Sequence, residues 1–256
     1  MTARRVLLTL RFIGTPYKGW QAQPGGGTIQ QAMCAAAETV FGSTVSVTGC
    51  SRTDAGVHAL NYCCHIDVTA SLPTDRIPHA LNAALTQNGD CIAVTYAREV
   101  PHDFHARYSA VSKEYVYKLY NSAFPDPFLK ERAYYIKSTL EVEKMREASE
   151  YFLGEKNFAC FKASGSDIAD DGAVRNITRI AIETNGDTPR IIDIYIAANG
   201  FLYNMARIIA GTLADVGKGK TDPGGVEKII ASGDRSLAGQ TLPAYGLYLN
   251  KVDYDG

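Results

Sequence analysis

The chain has 256 residues, 46% of them hydrophobic and 21% charged, and its 26 lysines and arginines nearly balance 27 acidic residues. This composition is typical of a globular protein with one large or two small domains, and it excludes disordered and fibrous classes. The net charge of −1 gives no sign of a general polyanion-binding surface, so any nucleic-acid site must be a local patch.

Residues 1–105 have the pattern of a first α+β domain. Apolar and polar residues alternate from Val6 to Phe12, which predicts a strand. Thr28 and Gln31 have the spacing of a capping box, and the apolar residues after them recur at helical intervals. The same criteria predict strands at Val45–Val47 and Tyr62–Val68, a helix at Pro73–Leu85 and a strand at Ile92–Tyr96. The order βαββαβ is that of a ferredoxin-like domain.

Residues 106–256 are less regular but similar in kind, and they form the second predicted α+β domain. Its predicted elements are strands at Ser112–Asn121, Val174–Glu183, Arg190–Ala197 and Leu247–Val252, helices at Leu140–Leu153, Leu202–Val216 and Pro223–Gly233, and a short apolar segment at Asn157–Lys162. Asn185-Gly186-Asp187 is a strong hairpin-turn signal. The helix that begins at Leu202 has the clearest amphipathic pattern in the chain.

The predicted fold class is α+β, with two ferredoxin-like or RRM-like halves. Each half would be a mainly antiparallel sheet with helices on one face, and each would leave open sheet edges. Joining these edges would give one continuous sheet with a central cleft, which is the natural place for a ligand.

The loop between the second and third predicted strands is longer than a hairpin connection needs. Residues 49–59 read G-C-S-R-T-D-A-G-V-H-A. An aspartate two residues before a glycine is most often part of a turn, because its carboxylate accepts backbone N–H groups and the glycine takes the positive φ. By itself, Asp54 is therefore predicted to be a turn residue.

The eight residues from Arg52 to Ala59 resemble the signature of the TruA family of tRNA pseudouridine synthases. Four further segments resemble motifs of that family and occur in the family's order: Y-K-G-W-Q at 17–21, K-E-Y-V-Y at 113–117, F-L-Y-N-M-A-R at 201–207 and G-L-Y-L at 246–249. The resemblance covers nearly the whole chain, and five motifs in order are far more specific than any one of them.

The resemblance implies the pseudouridine synthase fold and an isomerase that converts uridine to pseudouridine at positions 38, 39 and 40 in the anticodon arm of tRNA. It also implies a homodimer that uses no cofactor. The chemistry is consistent with this, because exchanging an N-glycosidic for a C-glycosidic bond is redox-neutral and needs only a carboxylate nucleophile. The stacked target base must first be turned out of the RNA.

The resemblance assigns catalytic roles to three residues. Asp54 matches the family's nucleophile, and Arg207 matches the arginine that pairs with it. Tyr115 matches the tyrosine that packs against the uracil and takes part in the proton removal that completes the reaction. Without the resemblance, helical periodicity would place Arg207 on a solvated surface, and Tyr115 would be a core residue of its strand.

RNA contacts are expected from a second set of residues. Arg52 matches the arginine that contacts RNA and keeps the base flipped out. Thr53 and His58 are the next candidates, although a threonine and a histidine at such positions are more often hydrogen-bonding scaffold. Trp20 is either a packing anchor or a base-stacking platform. The set of candidate RNA-binding residues is Arg52, Thr53, His58, Lys18, Trp20, Gln21 and Arg107.

Two features depart from a typical member of the family. Ile208 stands where the family usually has an asparagine, which puts the local hydrogen bonding of Arg207 in question. The near-neutral charge requires a tRNA groove built from clustered basic residues, for which the candidates are Lys18, Arg76, Arg107 and Lys162. Binding through phosphate contacts should weaken steeply with salt.

Metal and cofactor sites are not indicated by the sequence. The six cysteines form no C-x-x-C pair and are predicted to be reduced and buried, and the His102–His105 pair lacks further ligands at metal-site spacing. The first residues run into a strand pattern rather than a signal peptide, and no apolar run is long enough for a membrane span, so a cytoplasmic protein is expected.

Three alternative functions have partial support in the sequence. A non-catalytic RNA-binding module shares the ferredoxin-like order, but residues 61–67 lack the row of aromatic residues with which an RRM stacks bases. The run Gly217–Thr221 resembles the end of a Walker A loop, yet Thr212 stands where that loop needs glycine. Gly25–Gly27 precedes a helix without the spacing of a dinucleotide-binding loop.

Overall fold

A computed structural model describes residues 3–165, 168–184 and 190–254. The strands in these ranges are Arg4–Phe12 (β1), Val47–Gly49 (β2), His58–Val68 (β3), Ile92–Val100 (β4), Ala110–Asn121 (β5), Tyr134–Ile136 (β6), Gly154–Asn157 (β7), Val174–Thr184 (β8), Ile191–Ala198 (β9) and Leu247–Tyr254 (β10). The helices are Ile29–Phe41 (α1), Ile77–Gln87 (α2), Val142–Glu150 (α3), Met205–Gly217 (α4) and Gly225–Ser232 (α5).

The chain divides into two compact units. Residues 1–111 and 248–256 form unit 1, and residues 112–247 form unit 2. Strand β10 was assigned by sequence to the second domain, whereas most of it belongs to unit 1. The reason is its parallel pairing with β3, in which Tyr248 lies opposite His58 and Leu249 opposite Ala59.

The sheet of unit 1 has β1 at its centre, paired antiparallel with β4 on one side and with β3 on the other. The far edge of β3 is shared by β2, which is antiparallel, and by β10, which is parallel. With α1 between β1 and β2 and α2 between β3 and β4, the first half has the predicted βαββαβ order.

The core of unit 1 is formed by the apolar faces that the sequence predicts. The alternating residues Val6, Leu8, Leu10 and Phe12 of β1 are all buried. Helix α1 begins at its cap Thr28, whose hydroxyl accepts a hydrogen bond from the Gln31 backbone N–H, and it ends at Gly42 with a positive φ. The predicted capping box therefore starts this helix.

Unit 2 is built on a second antiparallel sheet. Strand β9 pairs with β5 and β8, and β8 pairs with β7. The short strand β6, which the sequence pattern did not reveal, runs parallel to the end of β5 from Leu119 to Asn121. Helix α4 is buried almost throughout and packs against α3. Both units are mixed α+β with mainly antiparallel sheets, which confirms the predicted fold class.

Several loops, strands and helices begin at residues other than those predicted, because contacts with distant segments set their ends. The motif loop shortens to residues 50–57, because β3 gains its first residues by pairing with β10. Helix α4 begins at Met205 rather than Leu202, because Asn204 before it has a left-handed backbone with φ of 60°. The predicted hairpin turn at Asn185-Gly186-Asp187 lies outside the described residues.

Two further sequence predictions concern burial and membranes. Four of the six cysteines are buried as predicted, but Cys91 is exposed and Cys34 is half-buried, so the prediction is wrong for these two. None of the described helices has both the length and the apolar composition required to span a membrane.

Candidate active site

The motif loop at residues 50–57 is tied to β3 by backbone and side-chain hydrogen bonds. The Cys50 N–H donates to the Cys63 carbonyl at 2.9 Å, and the Tyr62 hydroxyl donates to the Ser51 carbonyl. Within the loop, the Val57 N–H donates to the Asp54 carbonyl at 3.2 Å, closing a turn in which Gly56 has a φ of 82°. Asp54 is therefore the first residue of a turn, as its local sequence predicts.

The loop after β1 packs directly against the motif loop. The Trp20 N–H donates to the Thr53 carbonyl at 3.1 Å. Gly19 has a φ of 90°, and a Cβ built on it would lie 2.5 Å from the Thr53 carbonyl oxygen. A side chain at Gly19 would push the motif loop aside, so this glycine allows the close approach that holds Asp54 in place. The sequence analysis did not predict this role, although Gly19 is the glycine of the Y-K-G-W-Q motif.

The half-buried Asp54 sits between the exposed residues Arg52 and Ala55. Its neighbour Thr53 is 8% exposed, and the Thr53 hydroxyl has no hydrogen-bond partner among the described residues. A carboxylate at the start of a short turn, on a loop fixed from both sides, has a restricted position. Such a group is suited to attack a carbon that is brought to it.

Two of the predicted RNA-binding residues, Trp20 and His58, are buried in unit 1. Trp20 is 2% exposed, and its ring stacks on that of Tyr62 with 4.1 Å between centroids. His58 is fully buried, and its Nδ1 accepts a hydrogen bond from the Gly14 N–H at 2.9 Å. Trp20 thus has the contacts of a packing anchor, and His58 has those of a hydrogen-bonding scaffold residue.

In unit 2, Arg207 lies in the first turn of α4 and is oriented by two acceptors. Its Nε donates to the Leu242 carbonyl at 2.7 Å, and its Nη1 donates to the Asn204 side-chain oxygen at 2.6 Å. The guanidinium is half-buried, which differs from the solvated surface position that helical periodicity alone would give. Asn204 and Leu242 supply the local hydrogen bonds that Ile208, buried in the core, does not.

Strand β5 of the same unit contributes Tyr115 and Tyr117. Tyr115 is 7% exposed and meets the Phe201 ring edge-on, with 4.8 Å between centroids. Tyr117 is fully buried, and its hydroxyl donates to the Pro243 carbonyl at 2.8 Å. Burial raises the pKa of the Tyr117 hydroxyl, so this group stays protonated and keeps donating.

Arg207 and Tyr117 together fix one segment of unit 2. Their donors bind the successive carbonyls of Leu242 and Pro243, in the segment that precedes β10. Tyr117 was not among the predicted site residues. Its signal in the sequence was weak, because tyrosines on a half-buried strand are common packing residues.

The predicted basic groove is only partly supported. Lys162 is 14% exposed, and its ammonium binds the Asp170 carboxylate and the Ile168 carbonyl, so its charge is already balanced within unit 2. Arg76 lies beside Asp75 at 3.7 Å, with both side chains exposed. Lys18 and Arg107 are exposed, as a groove residue must be.

A cavity of about 180 Å³ in unit 1 brings several predicted residues together. Its lining includes Trp20, Gln21, Arg52 and Arg107, from three different loops. Within the ranges described, no three His, Cys, Asp or Glu side chains are grouped so that they could hold a metal ion. The predicted site residues supply a carboxylate, guanidinium groups and a phenol.

Comparison with known proteins identifies relatives of the whole chain. The family model described as tRNA pseudouridine synthase matches residues 9–109 and 148–255. A tRNA pseudouridine synthase A of Caldicellulosiruptor bescii is 46% identical over 251 residues, which are 98% of this chain and 100% of that protein. A second relative, tRNA pseudouridine synthase A 2 of Clostridium perfringens, is 42% identical with the same coverage.

Among solved structures, a chain from the crystal structure of a Cbf5-Nop10-Gar1 complex is similar over 84% of this chain and 54% of its own length. The sequence identity is 12% and the TM-score is 0.34.

Proposed function

Because the chain belongs to the tRNA pseudouridine synthase family and is an isomerase that acts on tRNA, we propose that it modifies uridines 38, 39 and 40 of the anticodon arm with Asp54 as nucleophile. The observation that carries the proposal is the position of Asp54. It begins a turn in the R-T-D-A-G loop, whose backbone is held by β3 on one side and by the Trp20 N–H on the other.

The reaction breaks the bond between N1 of uracil and C1′ of the ribose and joins C1′ to C5 of the same base. A proton leaves C5 and a proton is gained at N1, so no redox agent is consumed. The Asp54 carboxylate forms the covalent intermediate, by attack at either C1′ or C6, and holds one fragment while the base turns. The target base is taken out of the RNA stack first.

Tyr115 and Arg207 are the other proposed catalytic residues. The edge-on contact with Phe201 gives the Tyr115 ring a defined orientation, from which we propose that it packs against the uracil and takes part in removal of the C5 proton. Arg207 carries a permanent charge and is held by the Asn204 side chain and the Leu242 carbonyl, so its orientation does not depend on solvent. Arg52 is proposed to contact the RNA backbone.

The decisive experiment is incubation of the purified protein with unmodified tRNA, followed by mapping of pseudouridine along the anticodon arm. We expect pseudouridine at positions 38, 39 and 40 for the wild-type chain. Asp54→Asn keeps the size of the side chain and removes the nucleophilic charge, so turnover should fall by about a thousandfold or more while tRNA binding is retained.

Asp75→Asn is the matched control, because Asp75 is an exposed carboxylate of the same unit outside the motif loop. Near-native pseudouridine formation by the Asp54→Asn protein would refute the catalytic assignment. Tight tRNA binding without any pseudouridine in the wild-type reaction would favour the RNA-binding module instead.

The proposed assembly is a homodimer in the cytoplasm. One subunit of this size offers a limited surface for a tRNA, so a two-fold dimer would extend the binding surface. Sedimentation of the purified protein should show a dimer at micromolar concentration. A protein that sediments only as a monomer under those conditions would count against this assembly.

A further inference from the structure

The cavity of unit 1, which we call the Arg52–Arg107 cavity, has a size suited to one small group. Its volume of about 180 Å³ is below the roughly 300 Å³ at which pockets for drug-sized ligands begin. Its lining includes Arg52 but not Asp54, two residues further along the same loop. The proposed nucleophile is therefore not among the residues that line the cavity.

The charge of the Arg52–Arg107 cavity is positive. Both guanidinium side chains are exposed, and none of the described residues that line the cavity is acidic. Neither arginine forms an ion pair within the part of the chain that the structure describes. Exposed guanidinium groups without carboxylate partners favour a phosphate, which they bind through paired N–H donors.

The rim of the same cavity carries an exposed aromatic ring. Tyr108 is 77% exposed, although most tyrosines of this chain are buried or half-buried. Its ring packs on His105 at a tilt of 32°, with 4.4 Å between centroids, and the Arg107 guanidinium carbon lies over the ring, 5.8 Å from its centre. A supported but exposed ring beside a cation is the arrangement on which proteins stack unpaired nucleobases.

The segment that carries Arg107 and Tyr108 has a defined backbone. His105 Nδ1 accepts hydrogen bonds from the Arg107 and Tyr108 N–H groups at 3.1 and 3.3 Å. A second histidine, His65 of β3, holds the same segment. Its Nδ1 accepts a hydrogen bond from the Ala106 N–H at 3.1 Å. These acceptors make His65 and His105 positioning residues for the ring and the guanidinium that follow them.

Gln30 of α1 is another lining residue of the cavity, and its side chain makes three hydrogen bonds. Its side-chain oxygen accepts from the Gln21 side chain and the Ala22 N–H, and its Nε2 donates to the Val47 carbonyl. Gln30 thereby joins the loop after β1 to β2. A cavity whose walls are bonded in this way is a preorganised site.

We propose that the Arg52–Arg107 cavity binds an unpaired RNA nucleotide other than the isomerised uridine, with its base stacked on Tyr108 and its phosphate held by Arg52 and Arg107. The inference rests on the proposed function, because it names a second contact with the same RNA. Tyr108 would therefore contact only unpaired nucleotides. A paired stem without an unpaired loop would not occupy the cavity.

The test measures the Kd of an unmodified anticodon stem-loop RNA and of a blunt duplex with the same stem. Tyr108→Ala should weaken stem-loop binding about tenfold, because stacking on one ring is lost, and leave duplex binding unchanged. Tyr108→Phe keeps the ring and should stay within about twofold of wild type. Tyr96→Ala, which removes another exposed tyrosine of unit 1, is the control for a nonspecific effect.

Salt titration separates the base contact from the phosphate contact. Arg107→Ala should reduce the slope of log Kd against log salt by about 0.7, the value for one single-strand phosphate, whereas Tyr108→Ala should leave the slope unchanged. Stem-loop affinity of Tyr108→Ala equal to that of wild type would overturn the proposal, as would an equal loss for the blunt duplex.

The outcomes distinguish the two proposals. Pseudouridine formation together with an unchanged Kd in Tyr108→Ala would refute the subsite and leave the proposed function standing. The predicted pattern of Kd values in a protein that forms no pseudouridine would support the subsite and refute the proposed function.

Discussion

The guanidinium of Arg207 is oriented by two acceptors from separate segments, Asn204 before the helix and Leu242 well after it. Arg235 in the same unit has a similar arrangement, because it donates to the carbonyls of Ala238 and Gly239. Both arginines use the planar, forked geometry of their donors, which a lysine cannot reproduce. The two residues differ in proposed function, since only Arg207 is assigned to the reaction.

At this scale the prediction concerns Arg207→Lys. The variant should lose about 1–2 kcal/mol of unfolding free energy with its hydrogen bonds, and its turnover should fall at least tenfold. Arg235→Lys should lose a similar amount of stability with unchanged turnover per folded molecule. Denaturant titration and tRNA turnover measure the two quantities, and equal turnover in both variants would remove Arg207 from the catalytic set.

At the scale of elements, the shape of the motif loop is set by the loop after β1. Gly19 lies where a Cβ would meet the Thr53 carbonyl oxygen, whereas Gly25 has a similar φ of 86° and nothing within 4 Å of its built Cβ. The two glycines share the backbone conformation that disfavours side chains, but only Gly19 makes a close approach. Comparing variants of these two glycines therefore separates the effect of backbone strain from the effect of packing.

Gly25→Ala should lower the free energy of unfolding by about 1 kcal/mol through its positive φ alone. Gly19→Ala should lower it by about 3 kcal/mol and should also reduce turnover, since the new methyl group displaces the loop of Asp54. Both effects are measured by denaturant titration and by tRNA turnover on the folded protein. Equal losses in the two variants would mean that the loop contact at Gly19 is unimportant.

The contact between β3 and the segment before β5 depends on one histidine. His65 is buried, its Nδ1 accepts from the Ala106 N–H, and its ring lies 5.1 Å from that of His105. Burial, with the positive charge of Arg5 nearby, lowers the pKa of His65 to about 4. The neutral ring is thus the form that the fold requires.

This lowered pKa predicts how stability varies with acidity. Between pH 6.5 and pH 4 the unfolded chain takes up a proton at His65 that the folded chain does not, so stability falls as the pH falls and is fully present above this window. The contribution lost by pH 4.5 is about 2 kcal/mol. His65→Gln keeps an acceptor without this titration, and denaturation of both proteins at pH 7 and pH 4.5 should show the smaller loss in the variant. Identical losses would contradict the prediction.

For the whole molecule, the distribution of charge matters more than its sum of −1. Several basic side chains are balanced locally, as in the pairs Lys118–Asp193, Lys162–Asp170 and Arg5–Asp67. The guanidinium groups of the Arg52–Arg107 cavity have no such partner among the described residues. Attraction of RNA should therefore come from a few local contacts rather than from a long-range field.

We predict that the affinity for tRNA falls steeply as the salt concentration rises. Each phosphate contact releases counterions, so raising the salt from about 50 to 200 mM should weaken tRNA binding at least tenfold. Filter binding over this range measures the effect. Affinity that changes less than twofold would show that phosphate contacts contribute little, and it would remove the basis for a basic groove.

The local sequence was sufficient where short-range rules dominate. Thr28 and Gly42 bound α1 as capping preferences predict, and the alternation in β1 gave its buried face correctly. The same rules could not decide the positions of residues whose surroundings come from distant segments. Trp20 is covered by Tyr62 of β3, and the start of β3 at His58 depends on β10, almost two hundred residues later in the chain.

The sequence by itself determined the family, the α+β class, the turn at Asp54 and most helices and strands, because motifs, periodicity and capping act over a few residues. Only the tertiary structure decided that Gly19 holds the motif loop, that Asn204 and Leu242 orient Arg207, and that Arg52, Arg107 and Tyr108 line one cavity. These are contacts between segments far apart in the chain, and their geometry follows from how the whole sheet and its helices pack rather than from any local pattern.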